Sequence, residues 1–369
     1  ELYWEKAAGV GGLLELRLNS GPDTPLTVDY FNLAVGDLIA QGRADLDGET
    51  GALRRLDLDL LAFGETDVRA ALVIDESGGY RMSIKGPSLD LRPYIEDESD
   101  GALPELSIAA SIDRVITRDD QSLTAVEAKL RATGGLWEAA RIDGTLRGDK
   151  SLAMGIRRDT GRRDFWMKSN DGGEVLRALD IFDDAVGGDL TILAQLDSED
   201  GGDGAVTGEL KIQDFHLSKV PVLARILTIA TLTGVFDLLA GEGLPLSRLV
   251  VPFTKRGQQL EIRDARAFGP AIGFTFEGGI DQKAETVDID GTLVPAYALN
   301  SIFGKIPILG DLLVGEEDGG VFAMNFKLSG PLDDPVISVN PLSVLAPGFL
   351  RGLFSADFGN SADEAPSND

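Results

Sequence analysis

Residues 53–61 read LRRLDLDLL, and their period of two decides the fold. Leu56, Leu58 and Leu60 alternate with Asp57 and Asp59. An extended chain therefore puts the leucines on one face and the carboxylates on the other, as a sheet with one apolar and one wet face requires. The alternation recurs in LLELRLNS (Leu14, Leu16, Leu18) and in TAVEAKLRA, where Val126, Ala128 and Leu130 oppose Glu127, Lys129 and Arg131. It recurs again in DLTILAQLD (Leu190, Ile192, Ala194, Leu196), GELKIQDF (Leu210, Ile212) and LVVPF (Leu249, Val251, Phe253). Further on come AIGFTFEGGI (Ile272, Phe274, Phe276, Ile280), TVDIDGTL (Val287, Ile289, Leu293) and VFAMNFKLSG (Phe322, Met324, Phe326, Leu328). Turn signals such as DLDGE, DESGGY, ATGGL and SEDGGDG separate the runs at intervals of roughly ten residues. The expected fold is mainly β, a long antiparallel meander curled into an elongated U-shaped apolar groove, with a few short helices near the C-terminal end.

The helical candidates lie between strand blocks: 88–98, 172–184, 219–241, 295–315 and 341–354. The order of several strands, a short helical excursion and more strands suggests a module repeated with divergence. IDGTL occurs twice, at Ile142 to Leu146 and at Ile289 to Leu293, as an internal echo. We expect β-groove repeat modules over 1–215, a C-terminal module with apolar helices over 216–354, and a polar, acidic, disordered tail over 355–369.

Lys+Arg number 34 and Asp+Glu 61, a formal net charge of −27, so the exposed surface is dominated by carboxylates. That excludes the basic face a nucleic acid needs, and it disfavours flat docking on an anionic bilayer. Hydrophobic residues make up 43% of the chain, well above a disordered composition. With no cysteine, disulfides, thiolate-zinc sites and thiol chemistry are out of reach. The quoted chain opens ELYWEKAAGV, which has neither a basic n-region nor an apolar h-region, so any signal or anchor is expected to lie outside it.

Residues that carry chemistry are sparse. The one histidine, His216, follows Phe215 in QDFHLSKV and reads as packing at a strand end. GGDGAVTGE at 201–209 departs from GxGxxG because its third glycine falls one residue late, and from a calcium β-roll because Val206 holds an aspartate position. Asp197, Glu199, Asp200 and Asp203 read as a solvated acidic loop that could hold a divalent ion only weakly. No catalytic residue, cofactor or metal site is expected.

The apolar faces then carry the function. A compact barrel fills such a face with side chains, whereas a wide curved sheet leaves it free for apolar ligands. A meander of about twenty strands at about 4.8 Å per strand would extend on the order of 100 Å. KVPVLARILTIATLTGVFDLLAG, residues 219–241, is apolar around its whole circumference and so needs cover on most sides. Its uncharged centre, Ile226 to Phe236, falls short of the roughly twenty residues a membrane span needs. It reads as a helix that plugs or lids the sheet through Leu223, Ile226, Leu227, Ala230 and Phe236, with membrane-surface contact as the other reading. Leu58, Leu60, Leu190, Ile192, Phe274, Phe276, Phe322, Met324 and Phe326 are the expected lipid-binding lining, with closed core packing as the alternative at each.

Three stretches resemble the C-terminal region of the AsmA-like superfamily, which includes the YhdP and TamB type envelope proteins of Gram-negative bacteria. They are KVPVLARILTIATLTGVFDLLAGEGLPLSRLVVPF, GTLVPAYALNSIFGKIPILGDLLVG, and GGVFAMNFKLSGPLDDPVISVNPLSVLAPGFLRGLF. The resemblance covers about residues 210–354 and is firmest in its ending, where GPLDDP (Gly330 to Pro335) leads into VISV and NPLSVLAPGFLR. It implies a periplasmic protein anchored in the inner membrane by an N-terminal helix. Phospholipid would be its partner, carried toward the outer membrane with acyl chains in a hydrophobic groove, together with the membranes at its ends and other envelope proteins. The competing class is a structural or interaction β-repeat protein of the cell envelope with a closed core. A carbohydrate-active enzyme is the third, but the three tryptophans, Trp4, Trp137 and Trp166, are scattered.

Overall fold

The computed structural model describes residues 9–21, 24–95, 103–118, 121–159, 161–179, 181–197, 204–229, 237, 239–295 and 321–345. The fold is mainly β, 71% strand and 8% helix, and its 19 strands belong to one open sheet. In chain order they are β1 (Gly12–Gly21), β2 (Thr24–Val35), β3 (Leu38–Leu46), β4 (Leu53–Phe63), β5 (Thr66–Ile74) and β6 (Tyr80–Asp90). After helix α1 (Arg92–Ile95) come β7 (Leu106–Ile116), β8 (Ser122–Thr133), β9 (Leu136–Leu146), β10 (Lys150–Asp159) and β11 (Arg162–Ser169). Helix α2 (Gly172–Ala178) precedes β12 (Ala185–Leu196) and β13 (Val206–Leu217), and α3 (Pro221–Ile229) precedes β14 (Leu244–Arg256). The chain closes with β15 (Gln259–Phe268), β16 (Ile272–Asp281), β17 (Thr286–Pro295), β18 (Val321–Pro331) and β19 (Val336–Leu345).

Two compact units divide the chain: residues 1–183 with 189–208, and residues 184–188 with 209–369. The expected boundary at 215 lies seven residues into the second unit. In the first unit every strand pair given by the register is antiparallel except β6 with β7, which run parallel from Tyr80↔Leu106 to Asp90↔Ile116. The sheet is therefore mixed rather than a pure antiparallel meander. A parallel neighbour requires the chain to return to the edge where it started, and the α1 excursion supplies that return.

Helix α2 follows local rules. Asp171 caps it by accepting a hydrogen bond from the Glu174 amide at 3.0 Å, and Gly172 to Leu176 are buried. Of the other helical expectations, within 88–98 Ser88 to Asp90 finish β6, α1 occupies Arg92–Ile95, and residues 96–98 lie outside the described residues. Residues 341–345 finish β19 as strand instead of starting a helix. Residues 296–315, 346–354 and the expected tail lie outside the described residues. No helix among the described residues is long and apolar enough to cross a membrane.

Candidate functional site

In the first unit the register carries one side chain per strand into a continuous row. Leu16 faces Phe31, Phe31 faces Gly42, Gly42 faces Leu58, Leu58 faces Ala70 and Ala70 faces Ile84. Ile84 pairs with Ala110, then come Ala128, Ile142, Met154, Met167 and Ile192. Twelve consecutive strands contribute, and none of these residues is polar. At about 4.8 Å per strand the row follows the sheet for about 50 Å. A second row beside it passes through Leu56, Leu72, Met82, Ile108, Leu130, Ala140 and Ile156 to Phe165 and Ala194.

Burial along these rows is uneven in an informative way. On the seven strands β4 to β10 each row residue is half-buried: neither covered by a second layer nor fully exposed. The tightly packed side chains gather instead at one edge of the unit. There Val68, Ile112, Val115 and Val126, all at 5% exposure or less, form a cluster against which Leu61, Ile84, Leu89 and Ile142 pack. Both α1 and α2 follow strands that end at this edge. One margin of the apolar face is thus tightly packed, and its middle is half-buried.

The opposite face is polar. Asp57 sits between two arginines, accepting from Arg43 Nε at 3.0 Å and from Arg55 Nε at 2.8 Å. The hydrogen bond from Arg55 is the main reason its carboxyl is held below the usual range, against the opposing effect of burial. Arg141 lies 5.8 Å from the centre of the Trp166 ring on this same face and pairs with Asp143 at 2.7 Å, and the Trp166 ring lies over Gly155.

Leu60 corrects the simple alternation. Gln41 faces Leu60 while Gly42 faces Leu58, so the register slips by one residue between Leu58 and Leu60. Leu60 therefore belongs to the polar face and does not line the rows. The slip is a bulge, and bulges bend a wide sheet and increase its twist. Gly42 is required at that point, because a Cβ there would lie 2.0 Å from the Asp57 carbonyl oxygen.

The second unit has its own apolar face of a different kind. Leu249, Ala267, Phe274, Leu293 and Met324 form one row, and Ala265, Phe276, Gly291, Phe326 and Val339 form the next. Phe274 and Phe276 stack with ring centres 6.2 Å apart, and the Phe326 ring lies over Gly291. Ala265, Leu293 and Met324 are each 0% exposed, whereas Leu249, Phe274, Phe276 and Val339 are half-buried. The face is closely packed at some positions and partly covered at others. Four of the expected lining residues come together here, but Met324 offers no surface to a ligand. Phe322 lies in β18 across from Val344.

Of the expected helix 219–241, α3 is one-sided, Asp237, Leu239 and Ala240 are also helical, and residues 230–236 and 238 lie outside the described residues. Leu223, Ile226 and Leu227 are buried, whereas Arg225 and Thr228 are exposed. Ala230 and Phe236 lie outside the described residues. Arg225 reaches Asp334 at 3.0 Å, just ahead of β19. A shallow cleft beside the contact is lined by Ala224, Arg225, Thr228, Pro335, Val336 and Ile337.

His216 is exposed beside the buried Phe215, and no group of three or more acidic or histidine residues placed to hold a metal occurs among the described residues. Of the acidic loop, only Asp197 is described. The mid-row residues Ala70, Ile84, Ala110 and Met154 were missed. Their signal is the alternation in MSIKG, LSIAASI and SLAMGI, where small or soft residues alternate with charged or hydroxylated ones.

Comparison of the chain with protein-family models, with curated proteins and with solved structures gives no match. The fold and the rows define a class on their own terms: a wide open β-sheet protein with a continuous, half-covered apolar face.

Proposed function

We propose that the first unit holds the acyl chains of phospholipid along its two apolar rows. On this reading the chain is part of a bridge that moves lipid across the periplasm between the inner and outer membranes. The observation that carries it is the half-burial of both row residues on every strand from β4 to β10. A closed sandwich covers the middle of its inner face most completely, whereas here the row residues of the middle strands stay half-buried. An acyl chain laid there gains about 0.8 kcal/mol for each CH₂ removed from water. Rows of small and flexible residues, with no deep pocket, let a chain slide from strand to strand. The resemblance of residues 210–354 to AsmA-like proteins supports the same reading and supplies the two membranes.

The fully buried Ala265, Leu293 and Met324 favour a structural role for that part of the second unit, as the competing class would have it. The two readings meet in one protein when lipid contact is confined to the first unit. Mass spectrometry of the full chain, purified without detergent, tests the proposal. Phospholipid is expected to accompany the protein at one or more molecules per chain. Lipid-free protein contradicts the proposal.

A further inference from the structure

The β10–β11 hairpin carries RRDTGRR, residues 157–163, four arginines in seven residues of an acidic chain. The register sorts them between the two faces. Arg158 and Arg163 face each other across the hairpin, and the next pair inward on the same face is Ile156 with Phe165. The two guanidinium groups thus stand at the end of an apolar row, one pair spacing of about 7 Å beyond it. Arg157 and Arg162 belong to the other face.

Two like charges directly opposite on antiparallel strands cost stability. Arg163 is only 8% exposed, so its charge sits beside the apolar row rather than in open solvent. Burial holds its guanidinium below the ordinary value, and Arg158 adds to the effect. Glu138 Oε1 accepts from Arg158 at 2.5 Å, so a carboxylate already neighbours the pair. An arrangement that keeps two arginines together at the rim of an apolar face suits an anionic group tethered to an apolar chain. Arginine is the side chain that grips phosphate through paired N–H donors.

We propose that Arg158 and Arg163 receive the phosphate of a phospholipid headgroup whose acyl chains lie on the adjoining rows. The inference rests on the lipid-holding reading above and adds to it a headgroup class and a location.

The test loads the full chain, free of detergent, with dioleoyl phosphatidylglycerol or with dioleoylglycerol, which has the same chains and no phosphate. Bound lipid is read by mass spectrometry. Phosphatidylglycerol is expected to be retained about fivefold or more over dioleoylglycerol, the order of one charge-assisted contact. The double variant Arg158→Gln with Arg163→Gln should lose that preference and still retain dioleoylglycerol, while Arg163→Lys, which keeps the charge but not the paired donors, should lose part of it. If the double variant loses cooperative melting, Arg158→Gln alone, at a half-exposed side chain, serves instead, with about a twofold to threefold loss expected. Equal retention of the two lipids by the unaltered chain, or a preference that survives the substitutions, overturns the headgroup site and leaves the lining intact. Equally tight binding of soluble glycerophosphate overturns it as well. Retention of neither lipid overturns the lining and the headgroup site together.

Discussion

Leu58 and Leu60 are separated by one residue and belong to opposite faces, which makes them the sharpest internal control in the molecule. Because the chain has no cysteine, single cysteines can be placed at will. An environment-sensitive fluorophore on Leu58→Cys should shift to the blue when lipid is loaded, and the same label on Leu60→Cys should not; equal shifts at both would mean that the faces are not distinct. Strict alternation in LRRLDLDLL put both leucines on one face, because a bulge leaves little mark in a run of leucines and aspartates. The only local sign is Gly42 on the neighbouring strand, where the Asp57 carbonyl leaves no room for a side chain. IDGTL was more transparent. In both copies the register places Ile, Gly and Leu on the apolar face and Asp and Thr on the polar one, at Ile142, Gly144 and Leu146 and again at Ile289, Gly291 and Leu293.

Strands were easier to read than helices, for a physical reason. Period-two alternation is written into each strand by its own burial, so it survives in sequence. The helical stretches were read from composition, which shows apolar content but not its limits. Residues 219–241 suggested a helix apolar all round, whereas α3 turns Arg225 and Thr228 outward. Its hold on the second unit comes from the inner face. Leu227→Ala, at a fully buried site, should lower stability by about 2–5 kcal/mol. Arg225→Ala, which removes an ion pair whose partners are 58% and 75% exposed, should cost less than about 1 kcal/mol. Denaturant midpoints of the two variants check the order; if Arg225→Ala proves the costlier, the helix is held by its ion pair rather than by its buried face. The parallel pairing of β6 with β7 was not legible, since a crossover and a hairpin leave similar marks on the strands they join.

At the scale of the whole molecule, mainly β character, many short strands and an apolar face were all legible. What separated an open lining from a closed core was not, because the two share one periodicity. Exposure bears on it: every row residue from β4 to β10 is half-buried, whereas the rows of the second unit also hold the fully buried Ala265, Leu293 and Met324. A charge placed mid-row turns the difference into a measurement. Met82→Asp in the first unit should cost less than about 2 kcal/mol and still abolish lipid retention, whereas an unpaired carboxylate in a closed core costs several kcal/mol or prevents folding. A loss of more than about 4 kcal/mol for Met82→Asp would assign the first unit a closed core as well. The central claim, that phospholipid lies on the rows, is tested most directly by photo-crosslinking in the expressing cell. Probes go at Ile84 and Ile142 on the rows and at Ser83 and Asp143 on the other face. Phospholipid adducts are predicted from the first pair and not the second. No adducts from Ile84 and Ile142, or equal adducts from both faces, would contradict the account.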